Sequence, residues 1–201
     1  MKTAFCFDLD GTITQQEIIP LIAQDLDLQE EFETLTEATI NGVLSFSGSF
    51  KLRCRLLAEV PIPRVKAIVS KIALFEKVVA FIRQNKQNSF IVTGNLDVWV
   101  EDLVDKIGCT LYSSIASYKE DKLIGVSKVI DKGGAIKDIR SKGFDRIVAV
   151  GDGMGDVDMF RQADVSIFFS ENHTPAETLK HLCDYLIFDE ATLHKTLETF
   201  L

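Results

Sequence analysis

Three short apolar runs in this chain each end in a small polar cluster containing glycine, and that repetition restricts the fold more than any other feature. Residues 3–9 (TAFCFDL) lead into Asp10-Gly11-Thr12, residues 89–92 into Thr93-Gly94-Asn95, and residues 146–150 into Gly151-Asp152-Gly153, with Asp156 close behind. Continuous apolar runs of this length suit strands covered on both faces. Stretches of helical type separate or follow them, at 78–83, 98–107, 133–139 and 156–162. Residues 111–126 read as a hairpin turning at Asp121-Lys122, residues 165–169 as a further strand, and 175–182 and 190–200 as closing helices. Alternating β and α units predict an α/β fold with a doubly wound, Rossmann-like parallel sheet.

Residues 16–70 break the alternation. Leu21, Ile22, Leu26 and Leu28, then Phe32, Leu35 and Ile40, then Phe50, Leu56 and Leu57 recur at helical spacing. Little strand pattern occurs there, so the expectation is a small α-helical insertion directly after the first strand. PIPRV at 61–65 bounds it downstream with two prolines. The predicted division is an α/β core of residues 1–14 and 72–201 and a small α-helical domain of residues 15–71.

With 201 residues, 46% of them hydrophobic, the chain can bury a core without staples. A net charge of -8 argues against a general nucleic-acid binder. Cys6, Cys54, Cys109 and Cys183 are scattered, with no C-x-x-C pair, which suggests neither a disulfide framework nor a zinc site. They read as reduced, mostly buried thiols. Asp8 and Asp10 interrupt the apolar N-terminus early, and no later run is long enough to span a bilayer. The expectation is a cytoplasmic protein, monomeric or homodimeric, with no nucleic-acid or membrane partner.

Ligands collect at the carboxyl ends of strands in open parallel sheets. The three clusters, with Lys132 opening a predicted helix, would bring together several carboxylates, a hydroxyl, an ammonium and glycine-flanked amides. Grouped carboxylates repel unless a cation sits among them, and a hard divalent ion such as magnesium prefers oxygen ligands. Lys132 and the amides near Thr12 and Gly94 suit a phosphate dianion. A metal, a phosphate cradle and an exposed carboxylate make a phosphoryl-transfer site. Asp8 would be its nucleophile, and Asp10 its general acid and later base.

FCFDLDGTIT resembles the first motif of the haloacid dehalogenase superfamily, D-x-D-G-T after an apolar strand. IVTGN resembles its second motif, Lys132 in DKGGAI its third, and VAVGDGMGDVDMF, with Asp152 and Asp156, its fourth. The resemblance implies magnesium held by the Asp8 carboxylate, the Asp10 main-chain carbonyl and Asp152, with Asp156 helping through water or Lys132. It also implies phosphoryl oxygens held by Thr93, Gly94 and Lys132. The insertion resembles the cap of the phosphoserine phosphatase-like subgroup. There Glu17 and FSGSFKLRCRLL match segments that would place Glu17 on a substrate ammonium, Arg53 on its carboxylate and Phe46 against it. Gly155 and Asn95 depart from that subgroup's usual Asn and Gly, and KIALFEKV lacks its Pro-Gly turn.

Each residue also has a plainer reading. Asp10-Gly11 can simply turn the chain, and Asp152 and Asp156 can cap a helix. Thr93 can be a capping hydroxyl and Lys132 a solvated lysine. Glu17 can complement a helix dipole, Arg53 can be an exposed helix charge, and Phe46 can belong to the core. His173, His181 and His194 fall outside all four motifs and read as surface or packing residues. The expected activity is magnesium-dependent hydrolysis of a small phosphorylated metabolite through an aspartyl-phosphate, O-phosphoserine first. Another small ester (a sugar phosphate, a phosphocholine-like ester or a nucleotide) and a non-catalytic regulatory protein are the alternatives.

Overall fold

The computed structural model describes residues 1–24, 26–40 and 43–201. Among them seven strands form one sheet, β1 Thr3–Phe7, β2 Ser89–Leu96, β3 Thr110–Lys119, β4 Lys122–Lys128, β5 Arg146–Gly151, β6 Val165–Phe169 and β7 Tyr185–Ile187. Their order is β4-β3-β2-β1-β5-β6-β7, with every pair parallel except the β3–β4 hairpin. β1 is therefore central. The chain winds outward from it in one direction to β4, then returns to β1's other side with β5 and continues to β7. That reversal opens a crevice at the carboxyl ends of β1, β2 and β5.

The alternation of side chains along β1 divides the core into two layers. Phe5 and Phe7 face α5 Glu76–Gln84 and α10 Glu190–Glu198, whose Val78, Phe81, Ile82, Leu193 and Leu197 are buried with them. Phe5 meets Phe81 edge-on at 4.8 Å between ring centroids. Ala4 and Cys6 face the opposite layer, with Ile136 and Ile139 of α7 Lys132–Ser141 and Met159 and Phe160 of α8 Val157–Gln162. The helix α6 Asp97–Ile107 joins the first layer, and α9 Glu177–Leu182 the second. The doubly wound α/β expectation holds.

Among the described residues, four α-helices lie between β1 and α5: α1 Ile18–Gln24, α2 Gln29–Ile40, α3 Phe46–Leu56 and α4 Ile62–Val69. The starts of two of them are marked in the sequence. Ser45 caps α3 by accepting from the Gly48 amide at 3.1 Å. PIPRV opens a helix where it was expected to bound the insertion: Pro61 is the N-cap of α4, and Pro63 sits in its first turn, where no donor is missed. The segments entering and leaving these helices run antiparallel, with Thr14 opposite Leu74, Gln15 N–H donating to Ala73 O at 2.9 Å and Phe75 N–H to Ile13 O at 2.9 Å.

Two readings of the sheet need correction. β2 does not end at Thr93-Gly94 but runs on to Leu96, and β7 was not anticipated. In β2, Val92 pairs with Tyr112 and Leu96 with Ser114, so extra residues bulge out between them. β7 is a three-residue edge strand with only Ile187 buried, too short to leave a periodic signal. Cys6 and Cys54 are buried and Cys109 and Cys183 half-buried, and all four are free. No described helix is long and apolar enough to cross a membrane.

Candidate active site

All the strand-end clusters open into one cavity of about 510 Å³. Asp8 follows β1 directly, and Asp10 lies in the turn beyond it. Gly11 makes that turn possible: its φ is +66°, and a Cβ there would stand 2.2 Å from Asp152 Oδ2. Gly151, the last residue of β5, is needed for the same reason of closeness, since its Cβ would lie 2.4 Å from Asp156 Oδ2. Asp152 leaves β5, and Asp156 is brought back by a 3₁₀ turn at Met154–Asp156, where its Oδ2 accepts from the Gly153 amide at 3.1 Å.

Lys132 opens α7, which Asp131 caps through the Gly134 amide at 2.9 Å. Its ammonium stands 2.8 Å from Asp8 Oδ1 and 2.7 Å from Asp156 Oδ1. Asp8 Oδ1 also accepts from the Leu9 amide at 2.8 Å. Asp10 is held at both oxygens: Oδ2 accepts from Asn95 Nδ2 at 2.7 Å, and Oδ1 from the Ile18 amide at 3.2 Å.

Burial, then the neighbouring Asp156, holds the Asp8 carboxyl well above the ordinary carboxylate range, although Lys132 pulls it back. Burial and Glu17 push Asp10 up to about 7, against its two hydrogen bonds. Asp152 rises to about 6 through burial and Asp156. Burial would depress Lys132, but the Asp156 and Asp8 carboxylates outweigh it and keep the lysine charged.

One oxygen from each of Asp8, Asp152 and Asp156 can be chosen so that all lie within 4.8 Å of one another. Three crowded carboxylates with a single lysine among them fit a hard divalent cation. It would neutralise the surplus charge and lower the raised carboxyl pKa values. The donor set is all oxygen, as magnesium prefers.

The wall on the side of the inserted helices comes from Glu17, just before α1, and from α2 and α3. Arg53 is half-buried, donates to Thr36 Oγ1 at 2.7 Å and lies over the Phe32 ring at 5.4 Å. Burial lowers its pKa and Glu17 opposes that. Phe46 is 57% exposed, stacks on Phe50 and reaches over Gly94, so it is not the core residue of the plainer reading. Of the residues singled out in the sequence, Thr12 and Thr93 do not line the cavity. Both are buried behind its wall, Thr93 accepting from the Asn95 amide at 3.2 Å.

His173 was missed. Its Nε2 lies 3.2 Å from Asp152 Oδ2, and the ring lines the cavity. It follows the carboxyl end of β6, so the strand-end rule applied to a fourth strand would have flagged it. His181 and His194 stay outside the cavity, as expected.

Residues 5–161 match the family model of haloacid dehalogenase-like hydrolases. The chain belongs to that family. The hydrolase is 29% identical over 180 residues to the phosphoserine phosphatase of Methanocaldococcus jannaschii, covering 84% of this chain and 85% of that one. It is 28% identical to the phosphoserine phosphatase of Archaeoglobus fulgidus over 94% of its own length but only 57% of that longer protein. Among solved structures, a substrate-bound phosphoserine phosphatase complex superposes with a TM-score of 0.80 at 26% identity, covering 98% of this chain and 97% of that chain. A phospho-aspartyl intermediate analogue of phosphoserine phosphatase gives 0.78 at 27% identity, over 94% and 93%. The hydrolase thus shares fold and sequence with phosphoserine phosphatases along nearly its whole length.

Proposed function

We propose that this hydrolase is a magnesium-dependent phosphatase of small phosphate monoesters, with O-phosphoserine its substrate and Asp8 its nucleophile. The observation that carries the reading is a single cavity lined by Asp8, Asp10 and Lys132 together with Glu17 and Arg53. Phosphate chemistry and amino-acid recognition therefore share one space, of a size suited to a small metabolite. An O-phosphoserine presents a dianion, a carboxylate and an ammonium. Lys132 and the Gly94 amide take the phosphoryl oxygens, with Thr93 bracing the loop behind through the Asn95 amide. Arg53 grips the carboxylate, Glu17 meets the ammonium, and Phe46 covers the substrate.

In the first step an Asp8 carboxylate oxygen attacks phosphorus in line, and the bond from phosphorus to the serine oxygen breaks. Asp10 gives its proton to that leaving oxygen, a role suited to a carboxyl raised to about 7. In the second step Asp10, now ionised, takes a proton from water as the water attacks phosphorus. Phosphate leaves and Asp8 is restored. Asp8, the Asp10 main-chain carbonyl and Asp152 would hold magnesium, which would supply charge neutralisation. Asp156 holds Lys132 beside Asp8. His173, in the cavity wall, holds the Asp152 carboxylate through its Nε2.

The division into a core of 1–14 and 72–201 and a cap of 15–71 belongs to the same reading. Among the described residues, the antiparallel pair at Thr14 and Leu74 forms the stem at which α1 to α4 leave and rejoin the chain. A cap on such a stem can close over the substrate and exclude water.

The test is phosphate release with magnesium from O-phosphoserine, O-phosphothreonine, phosphoethanolamine, sugar phosphates and nucleotides. Preference for O-phosphoserine is expected. Preference for a sugar phosphate or nucleotide would keep the chemistry and overturn the substrate.

A further inference from the structure

We infer that Asn95 is a positioning residue for Asp10, holding in place the carboxyl group that protonates the leaving oxygen. The inference rests on the phosphatase reading and adds to it a residue outside the acidic and phosphate-binding groups.

Asn95 is aimed by the bulge in β2. Where the ladder to β3 lapses between Val92 and Leu96, Ser114 takes over its bonding: Oγ donates to Gly94 O at 2.8 Å and accepts from the Ile130 amide at 3.1 Å. The bulge is thus locked from the side away from the cavity. Thr93 Oγ1 locks it from within, accepting from Asn95 N–H at 3.2 Å and from Nδ2 at 3.3 Å. The Asn95 side chain, 2% exposed, has little freedom left, and Nδ2 meets Asp10 Oδ2 at 2.7 Å. The amide is oriented by its network, with Nδ2 facing the Asp10 carboxyl oxygen and the Thr93 hydroxyl oxygen, both of which can accept.

The other Asp10 oxygen is held from a different part of the chain, by the Ile18 amide at the start of α1, at the longer distance of 3.2 Å. Asp10 is therefore held from two parts of the chain, from the sheet through Asn95 and from the inserted helices through the Ile18 amide. Asn95 Oδ1 is buried and without a partner among the described residues. A buried unpaired acceptor costs stability that an apolar residue of the same shape would not. Packing alone does not explain an asparagine here. A bond to the reacting acid does.

Asp10 delivers a proton to the ester oxygen as the bond to phosphorus breaks, so displacing it hurts esters that leave as alkoxides. Dinitrophenyl phosphate leaves as a stable phenolate and needs no proton. The experiment compares first-turnover release of serine from O-phosphoserine and of dinitrophenol from dinitrophenyl phosphate by rapid quench. First turnovers are used because the second step is common to both substrates. Asn95→Leu, of similar size but without a donor, is expected to slow serine release about tenfold or more and dinitrophenol release by less than about threefold. In an Asp10→Asn background the same substitution is expected to add no further loss, since it acts through a group already removed.

Equal losses on both esters, or losses that add fully to those of Asp10→Asn, overturn the role and leave Asn95 a structural residue. Should Asn95→Leu fail to fold, Asn95→Gly puts the same question, and the same two outcomes decide it. Wild-type protein inactive on both esters with magnesium would overturn the phosphatase reading itself, and the inference with it. Active wild type with a uniform loss overturns only the inference.

Discussion

At the residue scale the active-site proposal turns on Asp8, Asp10 and Arg53. Asp8→Asn preserves shape but removes the nucleophilic charge. It is expected to cut turnover by about a thousandfold or more while the protein still melts cooperatively. Steady-state kinetics beside a melting curve check both halves. Arg53→Ala is expected to lower kcat/KM for O-phosphoserine by about tenfold to a hundredfold and to leave aryl phosphates nearly unaffected. Its guanidinium is half-buried in the cavity wall and braced by Thr36, so it is placed to take a carboxylate and not merely to solvate a helix. Equal losses on the two substrate types would remove it from substrate recognition.

At the element scale the turns after β1 and β5 decide whether the carboxylates converge. Gly11→Ala would force a left-handed backbone onto a side chain whose Cβ overlaps Asp152. A stability loss of about 1 kcal/mol or more is expected, together with weaker magnesium binding measured by calorimetry on the unliganded protein. Much of this scale was legible beforehand. The apolar runs ending at Asp8, Thr93 and Val150 marked the strands that carry the site, because strands buried on both faces leave uninterrupted apolar sequence. What could not be read has definite causes. The bulge at 93–95 arises from the hydrogen bonds of Ser114, a residue outside every motif. The place of His173 after a fourth strand end could be read, but its contact with Asp152 could not, because sheet order makes that contact and sequence spacing does not. PIPRV was legible as punctuation but not as a helix start, since proline serves either purpose.

At the scale of the whole molecule, a crevice between core strands holds more carboxyl groups than it can ionise without a cation. Asp10 at about 7, Asp152 at about 6 and Asp8 well above the usual range all have folded-state pKa values above their unfolded ones. Folded metal-free protein therefore binds more protons than the unfolded chain between roughly pH 4 and 7. The stability these groups contribute is fully present below their unfolded pKa values and is lost as pH rises through the folded ones. In chelator, the melting temperature of the wild type is expected to fall relative to that of Asp10→Asn between about pH 4 and 7. A constant difference between the two curves would contradict the assignment. Magnesium at a hundred times its dissociation constant should restore about 2.7 kcal/mol to metal-free protein near neutral pH. No shift in the melting curve with magnesium would contradict the metal site.

The central claim is a covalent phosphate on Asp8, and it can be trapped. Protein turning over O-phosphoserine with magnesium is quenched and treated with borohydride, which reduces an acyl phosphate to an alcohol, and the peptide spanning residues 1–14 is sequenced by mass spectrometry. The account predicts homoserine at position 8, absent when substrate is omitted. Phosphate release with Asp8 left intact, or reduction falling on Asp10 or Asp152 instead, would contradict it.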